Sequence, residues 1–405
     1  MMFFPFQLKR IKRQQIVAFA LLFNTFSWYY LGRLIVTKIG LTFGENSFEN
    51  LVLGVVYPSS LVLSAIVGSV FLMKMRRTRT FEAWLVFGVG ASLYSALFLG
   101  SSFLWAVTAA VALGVSLGVG LPSALGYFTE TVSVENRGKV GGIVLLGTFL
   151  SFPLILMVMN TLDVVASAAI LAVWRAWCLP LVFLIRGKET PFEPVVRRAS
   201  VGSVLRHRVF ALYFIAWFMF SFVDSFETVV VNSAIGDFRF VIKIVEPAIA
   251  GVSTLVGGVF ADWIGRKRVL IFGFVSLGVA FAALGLFAQF WLSWLFYFVT
   301  DGIALGLLWV LFIIVLWGDI TPNGTERFYA IGEAPFFLTG IFSLFLTPFL
   351  ASIPESSSFS LAAFFLFLAV LPLLYAPETL PEKKMKDREL KVYVEKAMKV
   401  KEKYA

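Results

Sequence analysis

Apolar residues in this chain come in long blocks separated by short polar breaks. Twelve blocks can be drawn, at about 15–37, 50–73, 81–101, 103–129, 140–161, 164–185, 209–233, 244–262, 269–290, 292–317, 328–350 and 358–377. Each is close to the ~20 residues a helix needs to cross ~30 Å of hydrocarbon at ~1.5 Å rise per residue. A helix also satisfies its own backbone groups, which lipid cannot do. The pattern therefore predicts an all-α polytopic membrane protein of twelve transmembrane helices.

Lys and Arg sort the loops between the blocks. One set of loops holds Lys9, Arg10, Lys12 and Arg13 before the first span, Lys74, Arg76, Arg77 and Arg79 after the second, and Arg137 and Lys139 after the fourth. The same side receives Arg186 through Arg208, Arg266 to Arg268, and the Lys-rich tail from Lys383. The opposite loops carry little beyond Lys38, Arg239 and Lys243. Short basic loops stay in the cytoplasm, so both termini are expected there, in a multi-pass protein of the cell membrane.

Composition agrees with the pattern and narrows the chemistry. Hydrophobic residues make up 59% of the chain and charged residues 14%, too little polar surface for a water-soluble fold. The net charge of +10 is accounted for by topology and by contact with anionic lipid headgroups, and no nucleic-acid partner is expected. Cys178 is the single cysteine, which excludes an intramolecular disulfide and a multi-cysteine metal site. His207, the single histidine, lies between Arg206 and Arg208, so proton transfer within the membrane would fall to carboxylates. No run resembles an ATP-binding loop. Neither a cofactor, a metal nor catalysis is expected.

Polar landmarks repeat at an offset of 189 or 190 residues. Gly68 and Arg76 match Gly258 and Arg266; Glu130 and Arg137 match Asp319 and Arg327; Glu189 and Thr190 match Glu378 and Thr379. This predicts a six-helix half over 1–185, a loop over 186–208, a second half over 209–377 and a basic tail over 378–405. Secondary transporters are commonly built this way, with a site near the midplane between halves.

The run Gly258, Val259, Phe260, Ala261, Asp262, Trp263, Ile264, Gly265, Arg266, Lys267 resembles the cytoplasmic loop motif of the major facilitator superfamily. Tyr127, Glu130, Glu135, Arg137 and Gly138 resemble the loop after span four in its sugar-porter-like and metabolite-symporter branches. Pro322, Glu326 and Arg327 resemble the second-half counterpart, and Pro377, Glu378 and Thr379 resemble the sequence closing the last span. With the repeat, the resemblance covers essentially the whole chain. It implies that Gly258, Asp262, Gly265, Arg266 and Lys267, with Glu130, Arg137, Asp319 and Arg327, act in conformational gating. Physically, Gly258 permits close helix packing, and Asp262 can accept hydrogen bonds from a neighbouring helix start. Three positions depart from the family. Leu72 and Met75 stand where the first-half motif would have Asp and Gly, and no Lys or Arg lies between Ser101 and Thr129 in span four. Span five has Gly147 and Pro153 but lacks the closely spaced Gly-Pro pattern that resembles antiporters, so the usual sign of an exporter is missing.

Ionisable residues inside spans are the candidates for substrate and coupling-ion roles, because an unpaired charge there is costly. Asp224 and Glu227 share a face of span seven, Asp301 lies in span ten, and Arg33 in the outer third of span one. The resemblance implies that spans one, four, seven and ten line the cavity, where these four would converge. Arg175, near the middle of span six, is expected to turn inward toward Asp163 or another interior carboxylate. Trp217, Phe222 and Trp309 are candidate cavity-lining aromatics, with plain packing as the alternative. The tail from Pro381 is expected to lie as an amphipathic helix on the membrane.

Together these features predict a monomeric secondary transporter that moves a small organic solute by alternating access, coupled to protons through Asp224, Glu227 and Asp301. The alternatives are an uncoupled facilitator, a drug or metabolite exporter, and a nontransporting sensor or scaffold.

Overall fold

The computed structural model describes residues 12–45, 47–71, 77–97, 102–186, 200–234, 245–320, 324–350 and 353–380. The expected tail helix, the first-half motif positions Leu72 and Met75, most of the loop over 186–208, and Pro322 lie outside the described residues.

The described residues contain helices and no strand. In chain order these are α1 (Arg13–Leu41), α2 (Phe48–Phe71), α3 (Arg77–Ala96), α4 (Phe103–Gly118), α5 (Leu121–Thr131), α6 (Arg137–Asn160), α7 (Val164–Ala176) and α8 (Leu179–Val182). They continue with α9 (Val201–Leu205), α10 (Arg208–Ala234), α11 (Glu246–Ile264), α12 (Arg266–Phe287), α13 (Trp291–Trp309), α14 (Leu316–Ile320), α15 (Thr325–Gly332), α16 (Ala334–Leu350) and α17 (Glu355–Tyr375). Ten continuous helical stretches are long and apolar enough to cross a membrane. The others of span length, α1 and α3, run 29 and 20 residues and carry more polar side chains, among them Asn24, Arg33, Lys38, Arg79 and Glu82. All twelve expected spans thus coincide with helices. Several helices start earlier than the apolar blocks, as α3 does at Arg77, because charged end residues still take helical geometry beyond the hydrocarbon.

Three of these stretches change helical geometry along their length. Span four divides into α4 and α5 around Val119 and Gly120, where Pro122 opens α5. Span ten passes from α13 into a π-helical segment over Val310–Val315 and then α14; such segments are rare and locally widen the helix. Span eleven breaks at Glu333, between α15 and α16.

The chain forms two compact units, Met1–Val132 with Leu156–Val196 and Ser133–Ile155 with Arg197–Ala405. Within unit one, α2 packs on α4 and α3 on α7. Gly114 and Gly118 lie against Ser60, Leu61 and Ser64 so closely that a methyl group would not fit. Within unit two, α11 packs on α13, α12 on α13 and α17, and α10 on α16 and α17. Large apolar side chains such as Leu63, Leu104, Leu154, Val173, Trp291, Phe345 and Tyr375 point outward, as lipid contact requires and aqueous exposure would penalise.

Candidate functional site

In unit two the N-terminus of α6 meets α11. Gly138 and Gly258 approach so closely that a Cβ on either would overlap the other's carbonyl oxygen, and Thr254 Oγ1 donates to the Gly142 carbonyl at 3.0 Å. The first N–H groups of a helix have no intrahelical partner and carry its positive dipole end. Those of Gly138 and Lys139 donate to the two oxygens of Asp262, at 3.0 and 2.7 Å. Asp262 thereby caps a helix other than its own.

Behind it lies a charge-balanced network. Arg266, fully buried, pairs with Asp262 at 2.8 Å and with Asp319 at 3.2 Å, and donates to the carbonyls of Ala261 and Val134 at 2.6 Å each. Arg137 holds the other oxygen of Asp319 at 2.6 Å. Two guanidinium groups therefore face two carboxylates, and carbonyls take up further donors, the condition under which buried ion pairs are tolerated.

Gly265 makes this geometry possible. Its φ of 107° turns the chain between α11 and α12, a conformation that favours glycine. Immediately after it, the N–H groups of Arg266 and Lys267 donate to the Glu378 carboxylate at 2.9 and 3.1 Å. Lys267 Nζ in turn donates to the Leu374 and Ala376 carbonyls at the end of α17, at 2.7 and 2.9 Å. The Pro377–Glu378–Thr379 segment and the Gly265–Lys267 turn thus cap each other's helices. Of the remaining gating candidates, Glu130 is ion-paired with Arg77 in unit one, and Arg327 is buried in α15.

A second cluster of unit two gathers acidic residues from three helices. Glu227 of α10 accepts the hydroxyl of Tyr297, and Asp301 of α13, only 3% exposed, lies within hydrogen-bonding reach of Glu246 at the start of α11. Asp224 lies close enough for its charge to act on Glu227, Glu246 and Asp301. No Lys or Arg of the described residues is among the charges that act on Glu227, Glu246 or Asp301. Two carboxyl groups share a hydrogen bond only when one of them holds a proton. Sequence reasoning missed Glu246: next to Pro247 it reads as the acidic first turn of a helix. It also missed Glu333, although an acid inside span eleven is the same signal that singled out Asp301.

Arg33 and Arg175 belong to unit one. The Arg33 side chain is exposed and hydrogen-bonded to Tyr29. Arg175 turns inward as expected, but Asp163 is not its partner. Asp163 instead caps its own helix, accepting from Ala166 N at 2.7 Å. Arg175 donates to Asn24 Oδ1 at 2.8 Å and Thr25 Oγ1 at 3.3 Å, and its guanidinium lies 4.3 Å from the Trp84 ring centroid and 5.3 Å from that of Trp28. Amide oxygen and indole faces take the place of a carboxylate.

The aromatic candidates differ in environment. Trp217 is fully buried, stacked on Phe220 and Phe312 at centroid distances of 5.4 and 4.6 Å. Phe222 packs on Phe365 at 5.6 Å, and Trp309 is half-buried between Phe149 and Phe336 at 5.2 and 5.0 Å.

Comparison with known proteins bears on the fold. The sequence model described as Major Facilitator Superfamily matches residues 245–400. No curated protein matches the sequence. Among solved structures, the proton:xylose symporter XylE aligns with a TM-score of 0.68 and 17% identity over 91% of this chain and 96% of its own. The fucose:proton symporter FucP of E. coli aligns with a TM-score of 0.67 and 11% identity, covering 90% of this chain and 98% of its own. A bacterial homologue of the iron transporter ferroportin gives 0.71 and 14%, covering 90% and 99%.

Proposed function

We propose that this chain is a major facilitator superfamily transporter that carries a small organic solute across the cell membrane by alternating access, coupled to protons held by the carboxyl groups of unit two. The carrying observation is the gathering of Glu227, Glu246 and Asp301, within reach of Asp224, with no Lys or Arg of the described residues among the charges acting on those three. Charges left so in a membrane interior are expensive, and proton binding removes the cost. Asp224 and Glu227 form the entry of the relay, Asp301 with Glu246 its proton-holding pair, and Tyr297 holds the Glu227 carboxylate in place.

Arg33 grips the solute or neutralises a carboxylate during the cycle, and Trp309 supplies an aromatic face. Two of the structurally similar proteins are described as proton:sugar symporters. A sugar is not carried over to this chain, since Asn24, one of the few amides in its spans, is occupied by Arg175 and by the Trp174 carbonyl at 2.6 Å.

The Asp262–Arg266–Asp319–Arg137 network is the latch of one conformational state. When α6 and α11 separate, Asp262 loses two N–H donors, and the network must be rebuilt for the cycle to return. The positive-inside bias puts this latch, both termini and the basic tail in the cytoplasm, against anionic headgroups. The chain works as a monomer, each copy holding both units.

The test is internal pH in proteoliposomes of the purified protein while sugars, carboxylates, amino acids and organic cations are added outside. Acidification with one class identifies both substrate and symport, and alkalinisation identifies exchange. A labelled solute that equilibrates with no pH change would overturn the coupling.

A further inference from the structure

Glu333 stands apart from both clusters. It closes α15 at the break in span eleven, is 2% exposed, and neither of its carboxyl oxygens has a hydrogen bond of good geometry. The one side chain within looser hydrogen-bonding reach is the indole of Trp317, itself fully buried and without another acceptor for its Nε1–H. Trp317 is placed there by Gly332, against whose backbone the indole lies so closely that a Cβ would come within 2.7 Å of Nε1. Phe210 and Phe312, with ring centroids at 5.1 and 5.9 Å, hold the indole from the other side.

Two basic groups lie against α15, His207 with its ring centroid 5.7 Å from that of Phe328 and Arg137 whose charge acts on Tyr329, but neither is among the influences acting on Glu333. Neither α9 nor α16 contains a titratable residue, and on α14 the one such group, Asp319, is taken by Arg137 and Arg266. On α15 itself Tyr329 is engaged with the Ile314 carbonyl, and Arg327 sits six positions earlier, about 9 Å along the helix axis. No charged group is among the influences acting on Glu333. A carboxylate in such surroundings would be an uncompensated buried charge, whereas a carboxylic acid would be one more weakly polar group facing an indole N–H.

We propose that Glu333 is a proton-binding site of unit two, separate from the Asp301–Glu246 pair, which takes a proton from water when α15 is packed as seen here and returns it when the site is wetted. The site itself follows from packing alone; its contribution to transport rests on the proton-coupled reading above. Conformational change would then carry one proton through the break of span eleven. Because α15 follows the Asp319 latch in the chain, Glu333 ties protonation to the packing behind that latch.

Infrared spectroscopy of the full-length protein reads this without any substrate. The wild-type spectrum at neutral pH minus that of Glu333→Gln should contain one C=O band of a protonated carboxyl group. Trp317→Phe, which keeps the carboxyl, should retain that band at a shifted frequency. A difference spectrum with only carboxylate bands would show Glu333 ionised and paired with a cation, and would overturn the proposal. So would a spectrum unchanged by Glu333→Gln. If Glu333→Gln does not fold, the Trp317→Phe shift decides, and a missing shift refutes the site. Substitution of Asp224 and Glu227 leaves this band in place, so failure of the carboxylate relay and failure of the Glu333 site are distinguishable.

Discussion

Gly138 at the start of α6 and Gly258 in α11 meet backbone to backbone, each occupying the space a side chain on the other would need. That contact lets the Asp262 carboxylate reach the N–H groups of Gly138 and Lys139 at 3.0 and 2.7 Å. Close approach and helix capping are therefore one structural feature. Lengthening the distance by the radius of a methyl group would break both.

Gly258→Ala should accordingly destabilise the protein by about 1–3 kcal/mol, the usual cost of overpacking. Thermal unfolding in detergent checks it, with Gly90→Ala as control, since nothing lies within 4 Å of a Cβ at Gly90. The control should lose no stability.

Asp262→Asn keeps one acceptor for the α6 N-terminus but removes the charge that faces Arg266 at 2.8 Å. A charge-assisted cap of this kind is worth about 1–2 kcal/mol. The transport rate should fall about 5- to 30-fold with little change in substrate affinity. Rate and half-saturation measured together check this, and an unchanged rate would remove the latch role.

Arg175→Lys should lower stability by about 1–3 kcal/mol although charge is kept, because an ammonium cannot lie flat on Trp84 while bonding Asn24. Thermal unfolding tests it, and Asp163→Asn should leave the Arg175 environment unaffected.

The spans were legible in the sequence because block length and hydropathy are local properties. The Gly265 turn was legible because a glycine followed by Arg266 and Lys267 fits one geometry. Partners across helices were not. Nothing along the chain shows that Asp262 caps α6 or that Glu378 caps α12, since each pair is more than 100 residues apart. For Arg175, an amide oxygen, a hydroxyl and two indole faces stand where a carboxylate was expected, while its Nε and Nη2 make no hydrogen bond among the described residues. Glu246 and Glu333 escaped notice for a common reason. Each lies near a proline, Pro247 next to Glu246 and Pro335 two positions after Glu333, which draws the eye to an element boundary although both acids fall inside the spans drawn at 244–262 and 328–350. The π-helical turn over Val310–Val315 leaves no trace in an unbroken apolar run.

The most direct test of proton coupling is internal pH in proteoliposomes carrying wild type or the Asp224→Asn, Glu227→Gln double variant, with a transported solute added outside. The account predicts solute-linked acidification in wild type and its loss in the double variant, while binding of the solute persists. Acidification of equal extent in both would contradict it.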